Sequence, residues 1–181
     1  MNIFLTGEIQ VGKSTIIRRW LEAHPGLRVG GFRTVAGPRE PDGCDSIHIV
    51  PGTGSAALTD ANRVLRRGGD ILSHGRRVQP FLAVFDTVGT ALLEQCGNCD
   101  LLLMDEIGIQ EDGADRFRRA VLACLDGPVP ILGVVRNLPG RLTDAVRGHP
   151  KTRILVVTEE NRKYVRRELL DGGIFPISRK L

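Results

Sequence analysis

The chain has 181 residues, of which 41% are hydrophobic, and 25 Lys and Arg against 21 Asp and Glu give it a formal net charge of +4. This length suits a single domain over residues 1–181, which would bury about 70% of its unfolded surface around one core. No apolar run approaches 18 residues and the chain starts directly with a predicted strand. We therefore expect a cytoplasmic protein with neither a membrane span nor a signal segment.

The first predicted elements are a buried strand over residues 2–6 and an amphipathic helix that contains Ile16 and Trp20. The segment between them fits the phosphate-binding loop (P-loop) pattern of Gly, four residues and Gly-Lys-Ser/Thr. The residues of this segment are Gly7, Glu8, Ile9, Gln10, Val11, Gly12, Lys13, Ser14 and Thr15. Backbone N–H groups of such a loop, with the positive end of the helix dipole, bind a polyphosphate. We expect Lys13 to reach the β- and γ-phosphates of a nucleotide and the Ser14 hydroxyl to bind Mg2+.

The next segments predict a hairpin followed by a region without a clear pattern. Residues 27–35 and 45–50 read as strands, and a loop rich in Gly and Pro separates them. Such a loop indicates an antiparallel hairpin near the nucleotide. Residues 51–80 carry scattered arginines, which suit a mobile lid or a partner surface.

Apolar residues at three- and four-residue steps predict a helix over residues 81–96. Inside it, the run from Asp86 to Gly89 matches the D-x-x-G pattern of GTPases. We favour the helix, because its period continues through the motif and no Asn/Thr-Lys-x-Asp guanine pattern follows.

A single C-x-x-C pair, Cys96 and Cys99, follows this helix. A zinc site needs two further ligands, and the sequence has neither a second C-x-x-C nor a paired His motif. The pair therefore favours an ordinary helix-to-strand turn over a metal or redox site. Disulfides are not expected in a chain that looks intracellular.

A continuous apolar run over residues 100–106 predicts a central parallel strand that ends in Asp105 and Glu106. Ligands gather at the carboxyl ends of such strands. We expect Asp105 to face the P-loop and bind Mg2+ through water, and Glu106 to orient and deprotonate an attacking water. Paired acids can also simply end a strand at the surface, but the P-loop in the same chain favours the metal site.

The last third of the chain alternates helices with strands. The predicted elements are a helix around Phe117 to Leu125, a strand over 129–135, a helix over 141–147, a strand over 153–157 and a helix over 160–170. Arg136 follows the first of these strands at the carboxyl edge of the sheet. It either stabilises the γ-phosphate or pairs with a surface acid.

Four segments of the sequence resemble the small P-loop nucleoside triphosphatases of the thermophile and human cancer-related NTPase family, which are also described as nucleotide kinase-like. These segments are Gly7–Thr15, Gly31–Thr34, Asp105–Gly108 together with Glu111, and Thr158–Arg162. The resemblance implies a RecA-like core, Mg2+-dependent hydrolysis of ATP, GTP and other nucleoside triphosphates, and a monomer. It also implies that Asn161 and Arg162 lie near the base. One departure is Ile9-Gln10, where the family commonly has Pro-Gly.

Together these observations predict a three-layer α/β P-loop NTPase with a largely parallel central sheet and a β-hairpin excursion. The predicted function is hydrolysis of the γ-phosphate with broad base specificity. One alternative is a kinase that uses ATP and a lid formed by residues 51–80. Another is a nucleotide-dependent switch or nucleic-acid-binding module that uses the arginine surface. A single Trp and a single Tyr count against the last, because aromatic side chains are the usual platforms for bases.

Overall fold

The computed structural model describes residues 1–41, 43–68 and 77–171. Within these ranges the strands are β1 (Asn2–Thr6), β2 (Val29–Ala36), β3 (Asp45–Pro51), β4 (Arg63–Gly68), β5 (Arg77–Pro80), β6 (Leu101–Ile107), β7 (Ile131–Val135) and β8 (Thr152–Val156). They form one sheet in the order β5-β4-β3-β2-β6-β7-β1-β8. The helices are α1 (Lys13–Glu22), α2 (Leu82–Val84), α3 (Thr90–Glu94), α4 (Asp115–Asp126), α5 (Arg141–Gly148) and α6 (Arg162–Leu170).

The part of the sheet that carries the P-loop is parallel. Strand β1 pairs in parallel with β7 on one side and β8 on the other, while β6 pairs in parallel with β2 and β7. The carboxyl ends of β1, β6, β7 and β8 therefore meet at one edge of the sheet. The predicted central strand is β6, and its run Leu101–Met104 is buried throughout.

Helices cover both faces of the sheet, which confirms the predicted three layers. Side chains of a strand alternate between faces. Accordingly, Ile3 and Leu5 of β1 belong to one hydrophobic cluster with Trp20 of α1, whereas Phe4 belongs to a second cluster with Phe117 of α4. The first cluster lies beneath α1 and α6, and the second beneath the helices from α2 to α5. Among the described residues, no helix is long and apolar enough to cross a membrane.

The antiparallel excursion is larger than the sequence predicts. Strand β3 pairs antiparallel with β2, which confirms the hairpin, and β4 and β5 extend it. The prediction of an unpatterned region is thus wrong for Arg63–Gly68 and Arg77–Pro80, while residues 69–76 lie outside the described part. Strand β4 could not be recognised from the sequence because arginines interrupt the apolar alternation. Two of them, Arg63 and Arg66, bind the Glu40 carboxylate at 2.7 Å. Strands β4 and β5 do not fit the predicted role of a lid over the nucleotide. The P-loop follows β1, and β3, β2, β6 and β7 separate these strands from β1.

The structure explains the D-x-x-G motif by packing. Residues 82–94 are helical, with a π-helical turn over Phe85–Gly89. The Asp86 carboxylate accepts hydrogen bonds from the backbone N–H groups of Arg116 and Phe117, at 2.8 and 3.0 Å, and so caps α4. A Cβ on Gly89 would lie 2.8 Å from the ring of Phe117. Asp86 and Gly89 therefore fix α4 against this helical segment. This agrees with the prediction that the motif belongs to a helix.

The C-x-x-C pair forms the turn between α3 and β6, as predicted, but the two cysteines form a disulfide. The expectation of no disulfide is therefore wrong for Cys96 and Cys99. The turn holds their Cα atoms 5.3 Å apart, within the range that a disulfide spans. A Cβ on Gly30 of β2 would collide with Cys96 Sγ, so the bridged turn packs directly on the backbone of that strand.

Candidate functional site

The P-loop connects β1 to α1 and is shaped by positive φ angles. These are 137° at Gly7, 104° at Gly12 and 65° at Gln10. A Cβ on Gly7 would lie 2.2 Å from the carbonyl oxygen of Val157, so only glycine fits beside the end of β8. Gln10 occupies the left-handed region, which few residues other than Gly, Asn and Asp adopt. Glycine adopts such a φ angle without a steric cost.

Lys13 begins α1 and is buried against the loop. Its Nζ donates to the carbonyl oxygens of Gly7, at 2.9 Å, and Glu8. An ammonium group has three N–H donors, so it can also bind a phosphate oxygen while it keeps both contacts. Burial lowers the pKa of Lys13 below its ordinary value, the positive charge of Arg136 adds to this, and the nearby carboxylates of Glu106 and Asp105 oppose it.

The structure brings Asp105 to the first turn of α1. The Ser14 hydroxyl donates to Asp105 Oδ1 at 3.2 Å, although 91 residues separate the two in sequence. Burial raises the pKa of Asp105 to about 6, even though the Ser14 hydrogen bond and the charges of Lys13 and Arg33 act in the opposite direction. Arg33 lies opposite Asp105 where β2 pairs with β6. A nearby cation would stabilise the charged form of this buried carboxylate.

These oxygen atoms fit Mg2+. A hydroxyl and a carboxylate oxygen are hard ligands, which this ion prefers. The part of the chain that the structure describes holds no group of three or more His, Cys, Asp or Glu residues that could bind a metal by itself. Mg2+ is usually bound by one or two carboxylates together with phosphate oxygens and water.

Glu106 lies beside Asp105 and forms an ion pair with Arg136. The distance from Arg136 Nε to Glu106 Oε1 is 2.8 Å, and about a third of each side chain is exposed, 31% and 34%. Arg136 follows β7, and its backbone N–H donates to the Ile107 carbonyl at 2.9 Å, which extends the pairing of β6 with β7. Arg136 therefore pairs with an acid, as one of its two predicted roles required, but that acid is the predicted catalytic base.

Lys13, Glu106 and Arg136 line one cavity of about 660 Å3. Its walls come from the P-loop, Glu106, the turn that follows β7 and the end of β8 with the residues after it. The lining residues are Gly7, Glu8, Ile9, Val11, Lys13, Glu106, Arg136, Asn137, Leu138, Val156, Val157, Thr158, Glu159 and Glu160. A volume of this size is typical of sites for small molecules and cofactors.

Some predicted site residues lie outside the cavity wall. The predicted site residues that are not among the lining residues are Gln10, Gly12, Ser14, Thr15, Asp105, Asn161 and Arg162. The Asn161 side chain accepts the N–H of Thr158 at 2.8 Å and donates to the Val156 carbonyl at 2.9 Å. It therefore holds the loop between β8 and α6, and its place near the base stays a prediction.

The sequence did not single out Leu138, Val156 or Val157 of this wall, and it named Thr158–Glu160 only as part of a segment that resembles the family. The available signal was position, because both segments follow parallel strands that end at the P-loop edge. Their apolar and acidic side chains match no motif for binding a nucleotide, so the pattern alone could not assign them. Only the sheet order shows that they face the P-loop.

Glu111 is another residue to which the sequence assigned no role. Its side chain is 4% exposed and accepts a hydrogen bond from the Gly108 backbone N–H. Burial raises its pKa from 4.5 to about 7, with the negative charges of Asp112 and Glu106 contributing in the same direction. The folded state therefore binds this proton more tightly than the unfolded chain does.

We expect Glu111→Gln to stabilise the protein above pH 7 but not near pH 4.5. Between these values the folded state holds a proton that the unfolded state has released, so the free energy of unfolding of the wild type falls as pH rises. Each pKa unit corresponds to about 1.4 kcal/mol, so the relief at high pH is about 3.5 kcal/mol at most. Glutamine is neutral at every pH and still offers an oxygen to Gly108.

Urea unfolding of both proteins at pH 5 and pH 8 measures this effect. The exposed Glu94→Gln is the matched control, and we expect it to change the free energy of unfolding equally at both pH values. The same change for Glu111→Gln at pH 5 and pH 8 would contradict the prediction.

The parallel sheet, the P-loop after β1 and the acid pair on β6 define a P-loop protein that binds nucleoside triphosphates. The family model described as NTPase matches residues 2–170. The chain therefore belongs to this NTPase family, and the predicted class of enzyme, a nucleoside-triphosphatase, is confirmed.

Curated relatives agree with the family model. The chain is 30% identical to "Nucleoside-triphosphatase THEP1" of Methanosarcina barkeri over 169 residues, which cover 90% of this chain and 91% of the relative. It is 26% identical to the protein of the same name from Natranaerobius thermophilus, with 89% of each chain covered.

Solved structures support the fold. The crystal structure of THEP1 from Aquifex aeolicus superposes with a TM-score of 0.73 at 22% identity, covering 94% of this chain and 98% of the other. The solution structure of a human cancer-related nucleoside triphosphatase gives a TM-score of 0.65 at 23% identity, covering 94% and 95%. The predicted three-layer α/β fold is confirmed.

Proposed function

We propose that this chain hydrolyses the γ-phosphate of nucleoside triphosphates with Mg2+ and accepts several bases. One observation carries the proposal. The P-loop Ser14 donates to Asp105, and the adjacent Glu106 lines the same cavity as Lys13. The groups that bind phosphate, metal and water in P-loop enzymes are thus next to one another.

The P-loop would hold the phosphates. Its positive φ angles at Gly7 and Gly12 curl the backbone, and α1 adds the positive end of its dipole. Lys13 would bind the β- and γ-phosphate oxygens. Ser14 and Asp105 would hold Mg2+, which when bound neutralises charge on the phosphate oxygens.

Glu106 would act as the general base. It would accept a proton from the water that attacks the γ-phosphorus and hold that water in line with the bond to be broken. The Arg136 guanidinium, 2.8 Å from Glu106, orients this carboxylate and brings a second positive charge into the cavity. Arg136 would thus stabilise negative charge on the phosphate during the reaction.

A kinase remains the second candidate within enzymes. A kinase must exclude water, whereas the Glu106 carboxylate, which lines this cavity, would activate water. The segment considered as a lid contributes β4 and β5, which lie at the sheet edge remote from β1. Phosphoryl transfer to an acceptor that outpaces hydrolysis would reverse the order of the two candidates.

A switch or nucleic-acid-binding module receives less support. Several arginines of the excursion are ion-paired, and Arg63 and Arg66 both bind Glu40. These charges are less able to bind phosphates along a nucleic acid than free ones would be. Steeply salt-dependent binding of RNA or DNA would support this alternative.

Phosphate release with each of ATP, GTP, CTP and UTP, with Mg2+ and with EDTA in its place, tests the proposal. We expect release with every nucleotide in Mg2+ and little release in EDTA. Equal release in both conditions would contradict the role of Mg2+, and release from one nucleotide alone would contradict broad base specificity. The monomeric state and the cytoplasmic location stay predictions.

A further inference from the structure

Exposed aliphatic side chains lie at the mouth of the cavity. Ile9 is 72% exposed, Leu138 41% and Val156 57%, and all three line the cavity that contains Lys13 and Glu106. We refer to Ile9, Leu138 and Val156 as the apolar rim. Ile9 belongs to the P-loop, Leu138 to the turn after β7, and Val156 is the last residue of β8, so no single element accounts for their meeting at one opening.

Local hydrogen bonds fix the backbone of the rim. The Leu138 carbonyl accepts hydrogen bonds from Thr143 Oγ1 at 2.8 Å and Arg147 Nη2 at 3.1 Å. The Val156 carbonyl accepts the amide of Asn161 at 2.9 Å. Leu138 and Val156 of the rim are therefore held in place by neighbouring residues.

The ligand itself indicates what this surface contacts. If Lys13 and the P-loop hold the phosphates, as proposed above, the nucleoside must extend along the same cavity away from Glu106. A base presents two flat faces with little hydrogen-bonding capacity, and such faces are stabilised by contact with apolar side chains. Aliphatic groups contact the face of any base but do not read the polar groups at its edge.

We propose that Leu138 and Val156, with Ile9 from the P-loop, form the base-contacting surface of the nucleotide site. This inference rests on the proposed function and extends it, because it locates the base subsite and gives a physical reason for broad base specificity. It also assigns a role to Ile9, one of the two residues by which this P-loop departs from the family pattern. Asn161 then acts on the base indirectly, by holding Val156 in place.

The double variant Leu138→Ser/Val156→Ser tests the inference without changing the P-loop. We expect its KM for ATP, GTP, CTP and UTP to rise about tenfold, by a similar factor for each, while kcat changes little. Inorganic tripolyphosphate has the phosphates but no base, so its inhibition constant against ATP should stay at the wild-type value. Ile9→Ser should raise KM in the same pattern by a smaller factor.

Leu58→Ser is the matched control, because Leu58 is 38% exposed in the loop between β3 and β4 and lies outside the cavity wall. Urea unfolding midpoints of all variants show whether the fold is kept, and the single variant Leu138→Ser replaces the double one if it is not. Unchanged KM values in a folded variant would overturn the inference. A parallel loss of tripolyphosphate affinity would also overturn it, since the rim would then shape the P-loop, and so would a loss confined to one base. Absence of hydrolysis in the wild type would instead refute the proposed function.

Discussion

Glu106→Gln is expected to bind nucleoside triphosphates like the wild type and to release phosphate about 10²- to 10⁴-fold more slowly. The amide keeps the size of the side chain and can still contact Arg136, but it cannot accept the proton of the attacking water. Single-turnover phosphate release measures the chemical step, and equilibrium titration with a fluorescent nucleotide measures binding. The two measurements separate loss of the general base, which slows the reaction, from loss of nucleotide binding.

Glu22→Gln provides the control for this variant. Glu22 ends α1, and 61% of its side chain is exposed outside the cavity wall, so we expect neither readout to change. Unchanged phosphate release in Glu106→Gln would show that Glu106 is not the general base. A loss of nucleotide affinity as large as the loss of rate would mean that Glu106 acts mainly through Arg136, by holding its guanidinium in the cavity.

The residues that the sequence could assign are those whose role follows from local pattern. The P-loop is read from glycines and a lysine at fixed spacing, and Asp105 is read from the apolar run before it. Both roles depend on the carboxyl ends of parallel strands meeting at one edge, which is a general property of such sheets. The contact between Ser14 and Asp105, at 3.2 Å, agrees with that reasoning.

Roles that depend on distant partners could not be read in this way. The pairing of Glu106 with Arg136 requires β6 and β7 to be neighbours, and the sheet order is not encoded in either segment alone. The same holds for the role of Asp86, whose carboxylate caps a helix that begins 29 residues later. Strand β4 was missed because ion-paired arginines replaced the expected alternation of apolar and polar side chains.

The second large effect is expected from Lys13→Met, which should bind nucleoside triphosphates at least about tenfold more weakly and hydrolyse them at a rate close to background. A hydrogen bond to a charged group contributes about 1.5 to 3 kcal/mol, and Lys13 is expected to bind two phosphate groups. Methionine matches the unbranched stem of lysine but removes both the charge and the donors. It also removes the contacts of Nζ with the Gly7 and Glu8 carbonyls, so part of the loss is a less ordered loop.

Titration with inorganic tripolyphosphate and with nucleotide separates these contributions. Loss of phosphate binding should weaken both ligands by the same factor, because the base subsite is unchanged in Lys13→Met. Lys163→Met, at an exposed position of α6, should leave both affinities at the wild-type value. Wild-type affinity in Lys13→Met would assign the phosphates to Arg136, since it is the second cation among the described residues that line the cavity. The ion pair of Arg136 with Glu106 would then have to open for the nucleotide to bind, which would couple binding directly to the catalytic base.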